Sequence, residues 1–174
     1  MNNKELAKKI EQATKEVSFL RGVVITKSVD IELLIGALIT NYFVLSDKHS
    51  KFSEMVLSDP YFSFGLKINI LKKILNKIEW NPYNGFKDDL DKIQRLRNRF
   101  AHSGMFGFDG NLIYDKGEKP MEIKKAKEMY GEFIPLWAKV IEELNKIFWH
   151  IIGKPNPFKK TKDGENSLKK VSQK

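Results

Sequence analysis

Apolar residues recur at three- and four-residue spacing through most of the chain, and that period restricts it to packed helices. Leu6, Ile10, Ala13, Val17 and Leu20 follow the period first, with Asn2 or Asn3 as N-cap and lysines and glutamates on the other face. Gly22 marks a bend, and a second helix runs from about residue 23 to 45. After Asp30 that helix is apolar almost all round, the pattern of a buried central helix. Residues 47–58 read as a short helix ended by Asp59-Pro60. Leu66, Ile70, Leu71, Ile74, Leu75 and Ile78 make the next amphipathic helix, and Asn81, Pro82 and Gly85 the turn after it. A helix over 87–103 stops at Gly104. Phe106, Phe108, Leu112 and Tyr114 then alternate around Asp109-Gly110-Asn111 as a short β-hairpin. The last helix covers about 121–152, kinked at Pro135.

The expected fold is therefore all-α. It is an antiparallel bundle of five or six helices over residues 1–152, with a small β-hairpin inserted after the helix at 87–103. Its core is lined by Leu33, Leu34, Leu38, Ile70, Ile74, Ile93, Phe100, Leu136, Val140 and Leu144. A chain of 174 residues is long enough to bury such a core as one domain. Residues 153–174 read as a basic, disordered tail after Gly153, Pro155 and Pro157. The tail holds seven lysines against Asp163 and Glu165, more than half of the net charge of +9. Such a tail favours polyanions through counterion release, without sequence choice, or serves only solubility.

Several chemistries are excluded at once. Cysteine is absent, which removes disulfides, thiolate metal sites and thiol nucleophiles. There is no phosphate-binding glycine loop, dinucleotide fingerprint or nucleophile elbow. His49, His102 and His150 lie in separate segments without metal-ligand spacing, so no metal and no cofactor is expected. The most hydrophobic stretch, Leu33 to Leu45, is shorter than the roughly 20 residues a membrane-spanning helix needs. The lysine-rich start has no apolar run behind it, and the expected location is cytoplasmic.

One segment stands apart: Arg95-Leu96-Arg97-Asn98-Arg99-Phe100-Ala101-His102. On a helix, Leu90, Ile93, Leu96 and Phe100 define an apolar sector about 120° wide, and Arg97 falls inside it. Asn98 and His102 share the neighbouring polar flank, while Arg95 and Arg99 point further out. An arginine aimed into a core-facing sector needs a partner or a task. Asp30 or Glu32, at the start of the most hydrophobic helix, would partner it by charge-assisted hydrogen bonds. On that reading the motif is an interior ion pair with a helix-ending histidine beside it.

The pattern Arg97-Asn98-x-x-x-His102, with an acid-bearing hydrophobic helix before it and a long helix after it, resembles the signature of the HEPN superfamily. It is most similar to the branch around the mannitol operon repressor, and the likeness covers about residues 15–150. The resemblance implies a metal-independent endoribonuclease in which Arg97 and His102 from two protomers meet at a homodimer interface, with Asn98 as the intervening polar group. Arg95 and Arg99 would then be the nearest RNA phosphate contacts. Toxins with a partner antitoxin and phage-defence effectors occur in the superfamily, as do non-catalytic regulatory and interaction domains. The residue types suit the chemistry. Attack by an RNA 2′-hydroxyl needs a proton acceptor and donor near neutral pH, as imidazole provides, and a fixed cation for the phosphorane charge.

Overall fold

The computed structural model describes residues 3–105, 112–115 and 121–153. Helix dominates. The first helix, α1 (Asn3–Phe43), is followed by a 3₁₀ turn (Ser46–Lys48), the single turn α2 (His49–Phe52) and a π turn (Ser53–Leu57). Then come α3 (Phe64–Lys77), α4 (Phe86–His102) and α5 (Ile123–Ile151). Between α4 and α5, three short strands, β1 (Ser103–Met105), β2 (Leu112–Asp115) and β3 (Met121–Glu122), pair antiparallel in the order β1-β2-β3. Gly104 lies opposite Tyr114, and Ile113 opposite both Met105 and Met121. The expected turn Asp109-Gly110-Asn111 and the tail beyond Gly153 lie outside the described residues.

The core joins α1 (Val24, Ile31, Ile35, Leu38), α3 (Ile68, Leu71, Ile74, Leu75), α4 (Leu90, Ile93, Phe100) and α5 (Phe133, Val140, Leu144, Ile147). Each such side chain contributes about 1.5–3 kcal/mol on leaving water. Ile74, Ile93, Phe100, Val140, Leu144 and Leu38 are buried as expected, and Leu34, Ile70 and Leu136 pack partly buried against them.

Three expectations are corrected. Gly22 does not bend the chain: α1 is one helix of 41 residues, about 60 Å long. A mid-helix glycine costs only about 1 kcal/mol, far less than the packing of α1 on α3, α4 and α5 contributes. Nor is α1 buried all round after Asp30, since Leu33 and Phe43 are exposed, Leu33 at 68%. Finally, the bundle is not uniformly antiparallel. Glu16 pairs with Lys127 at 2.7 Å and Lys27 sits 3.9 Å from the Trp137 ring centroid, so α1 and α5 run in the same direction. Lys92–Glu132 and Lys139–Asp89 set α4 against α5, and Lys72–Asp91 with Lys87–Asn76 set α3 against α4. Short connections enforce antiparallel packing only between consecutive helices, and α1 and α5 are not consecutive.

Candidate functional site

The motif helix α4 is well specified by its sequence. Phe86, Leu90, Ile93, Leu96 and Phe100 form its buried stripe. Asp88 and Asp89 occupy the first turn and Arg99 and His102 the last, each complementing the helix dipole. The C-terminal end is fixed by a residue that sequence reasoning missed. Arg21, half-buried on α1, donates from Nη2 to the Ala101 carbonyl at 2.7 Å, one residue before His102. A carbonyl in the last turn has no partner within its own helix, and a guanidinium satisfies it.

Arg97 is half-buried, as its place in the apolar sector requires, and donates from Nη1 to the Asn98 side-chain oxygen at 3.0 Å. Among the described residues its guanidinium makes no other hydrogen bond. The expected pairing with Asp30 or Glu32 is replaced. Glu32 binds Lys67 of α3 at 2.7 Å, and Asp30 lies 3.8 Å from Lys27, one turn away on its own helix. Glu32 faces α3, where the nearly buried Lys67 arrives first, while Arg97 turns to its own neighbour. The local signal for Lys67 was present: it interrupts the apolar stripe of Phe64, Ile68 and Leu71 as Arg97 interrupts that of α4.

His102 is exposed at the end of α4 and makes no hydrogen bond among the described residues. Arg95 is exposed, but Arg99 is half-buried with its Nε shielded from solvent, so the two do not share one outer flank. His49 Nε2 lies 2.8 Å from the Val44 carbonyl and His150 packs against Trp80, so neither joins His102. No group of three or more candidate metal ligands occurs among the described residues.

Arg97 borders a cleft of about 640 Å³ between α1, the π turn and α3, and Glu32 and Lys67 also line it. The site thus brings Arg97 and Asn98 into contact, places Glu32 in the same cleft, and leaves Asp30 and Arg95 outside its lining. Arg97 and His102 are five residues apart on one helix, about 7.5 Å along the axis and about 140° around it. No helix is long and apolar enough to cross a membrane among the described residues. Compared with known proteins, the chain matches no family model, no curated protein and no solved structure, and the functional reading rests on the geometry of α4 and its cleft.

Proposed function

We propose that this chain is a metal-independent endoribonuclease of the HEPN type, acting as a cytoplasmic homodimer and serving as a toxin or phage-defence effector. One observation carries the reading: a half-buried arginine in the apolar sector of α4 has, among the described residues, a single neutral acceptor and lines a cleft, with an exposed histidine ending the same helix. Keeping a guanidinium half out of water without a counter-charge has a cost that a bound phosphate offsets.

In this mechanism an imidazole takes the proton of the RNA 2′-hydroxyl as its oxygen attacks phosphorus. The bond from phosphorus to the 5′-oxygen breaks, and that oxygen leaves with a proton from the imidazolium. The products end in a 2′,3′-cyclic phosphate and a 5′-hydroxyl. Arg97 stabilises the negative charge that builds on the phosphorane, and Asn98 holds the guanidinium in place. Because Arg97 and His102 diverge by about 140° on one helix, the working pair comes from two protomers.

The same divergence favours a second reading, a non-catalytic regulatory domain like the mannitol operon repressor, because one chain alone holds no assembled site. The two readings part on one experiment. Purified protein should cut single-stranded RNA in EDTA, leaving 2′,3′-cyclic phosphate ends, and His102→Ala should slow cleavage by at least about 100-fold. Absence of cleavage by the wild type, or full activity in His102→Ala, rejects the nuclease.

A further inference from the structure

The cleft beside Arg97 is about 640 Å³, within the range of roughly 300–1,000 Å³ typical of small-molecule sites. Its walls combine the apolar Leu33 and Phe62 with the Glu32–Lys67 pair, and Ala37 of α1 leaves room between them. The charged pair is deeply placed, with side chains only 24% and 10% exposed and an N–O distance of 2.7 Å. It is also unsaturated. Lys67 Nζ donates to Glu32 Oε1 alone, and Glu32 Oε2 accepts no hydrogen bond among the described residues. Two carboxylate oxygens beside an ammonium, sheltered from water and bordering a cleft, form a hydrogen-bonding edge.

We propose that this cleft is a guanine-recognition subsite for the nucleotide next to the scissile phosphate, an inference that rests on the RNA-cleaving reading of α4. The Watson–Crick edge of guanine presents the O6 acceptor followed by two adjacent donors, N1–H and N2–H. The Glu32 carboxylate accepts from the two donors, and a free N–H of Lys67 donates to O6. No other RNA base offers two adjacent donors on that edge: adenine has one donor beside an acceptor, cytosine one donor beside two acceptors, and uracil one donor between two acceptors. Phe62 and Leu33 supply apolar surface for the purine faces, and Arg97 at the border of the cleft takes the adjoining phosphate. A mismatched base leaves the partly buried pair facing groups of the wrong polarity, which is the condition for discrimination.

The test maps cut sites in a random-sequence RNA with wild type and with Glu32→Gln, whose amide still accepts from Lys67 but offers a donor where guanine needs an acceptor. Wild type should prefer sites flanked by guanosine by roughly ten- to a hundredfold, and inosine, which lacks N2–H, should lose most of that preference. Glu32→Gln should cut RNA without guanine preference. The inosine arm uses unaltered protein, so it decides the matter even where Glu32→Gln folds poorly. Cleavage by wild type with no base preference, or an unchanged preference with inosine, overturns the subsite and leaves the nuclease standing. If wild type cuts nothing, calorimetric titration with 3′-GMP and 3′-AMP decides: tighter binding of 3′-GMP supports the subsite alone, and equal or absent binding overturns it as well.

Discussion

At the residue scale, the hydrogen-bond partners reverse an expected coupling between function and stability. Had Arg97 bound Asp30 or Glu32, removing it would have stranded a carboxylate. Its acceptor is instead the neutral Asn98 amide, so Arg97→Ala should abolish cleavage while lowering stability by less than about 1 kcal/mol. Glu32→Ala does the opposite: it leaves the nearly buried Lys67 ammonium unpaired and should cost about 2–3 kcal/mol. Urea unfolding of the two variants checks the order, and a larger loss for Arg97→Ala would refute these pairings. Tyr83 gives a second residue-level prediction. Burial first, then its 2.8 Å hydrogen bond to Asp89 and the charges of Asp89 and Glu143, push its phenol far above the ordinary range. A group whose folded pKa exceeds its unfolded one stabilises fully below the unfolded value, about pH 10, and loses that contribution as pH rises toward the folded value. Absorbance at 295 nm should therefore show a tyrosine step delayed until the protein unfolds, and Tyr83→Phe should remove that late step.

At the scale of elements, the amphipathic helices were legible because each buries one stripe at a fixed period, and α4 was legible down to its half-buried arginine. What was not legible depends on long-range partners. Nothing near Arg21 announces that it caps α4, and an all-round apolar pattern in α1 does not say which side the other helices cover. The end of α3 near Ile78 was legible from its apolar stripe, but the way it closes was not. Its C-terminus is a Schellman turn, with Trp80 N–H on the Leu75 carbonyl, but the left-handed position is held by Glu79 at φ 53° rather than by glycine. The expected 47–58 helix is broken by a different local device, since the Ser58 amide and hydroxyl both bond the Ser53 carbonyl and close a π turn. Glu79 is exposed, so Glu79→Gly should relieve backbone strain at little other loss. A gain of about 0.5–1 kcal/mol in thermal unfolding is expected, with cleavage unchanged.

At the scale of the whole molecule, the exposed face of α1 is the surface on which the proposed homodimer can be tested. Phe19, Gly22, Thr26 and Val29 are all exposed and spaced three and four apart, the seam by which one helix packs on another. Arg21, which precedes Gly22 of that seam and faces α4, bonds the carbonyl preceding His102, and Leu33, one turn beyond Val29, shares the cleft wall with Arg97. The seam thus runs from the level of the Arg21–Ala101 contact toward the cleft that Arg97 and Leu33 line. A two-fold partner seated on the seam would cover apolar surface and bring its own α4 toward this one, as the proposed composite site calls for. Val29→Lys introduces a charge into the seam while touching neither the cleft nor α4, and at an exposed position it should change stability by less than about 0.5 kcal/mol. Light scattering should then show wild type as a dimer at tens of micromolar and Val29→Lys as a monomer of unaltered helicity whose cleavage falls in step with its dissociation. A monomeric wild type that still cuts RNA would place the whole site within one chain and defeat the composite arrangement, whereas a dimeric Val29→Lys would move the interface off α1.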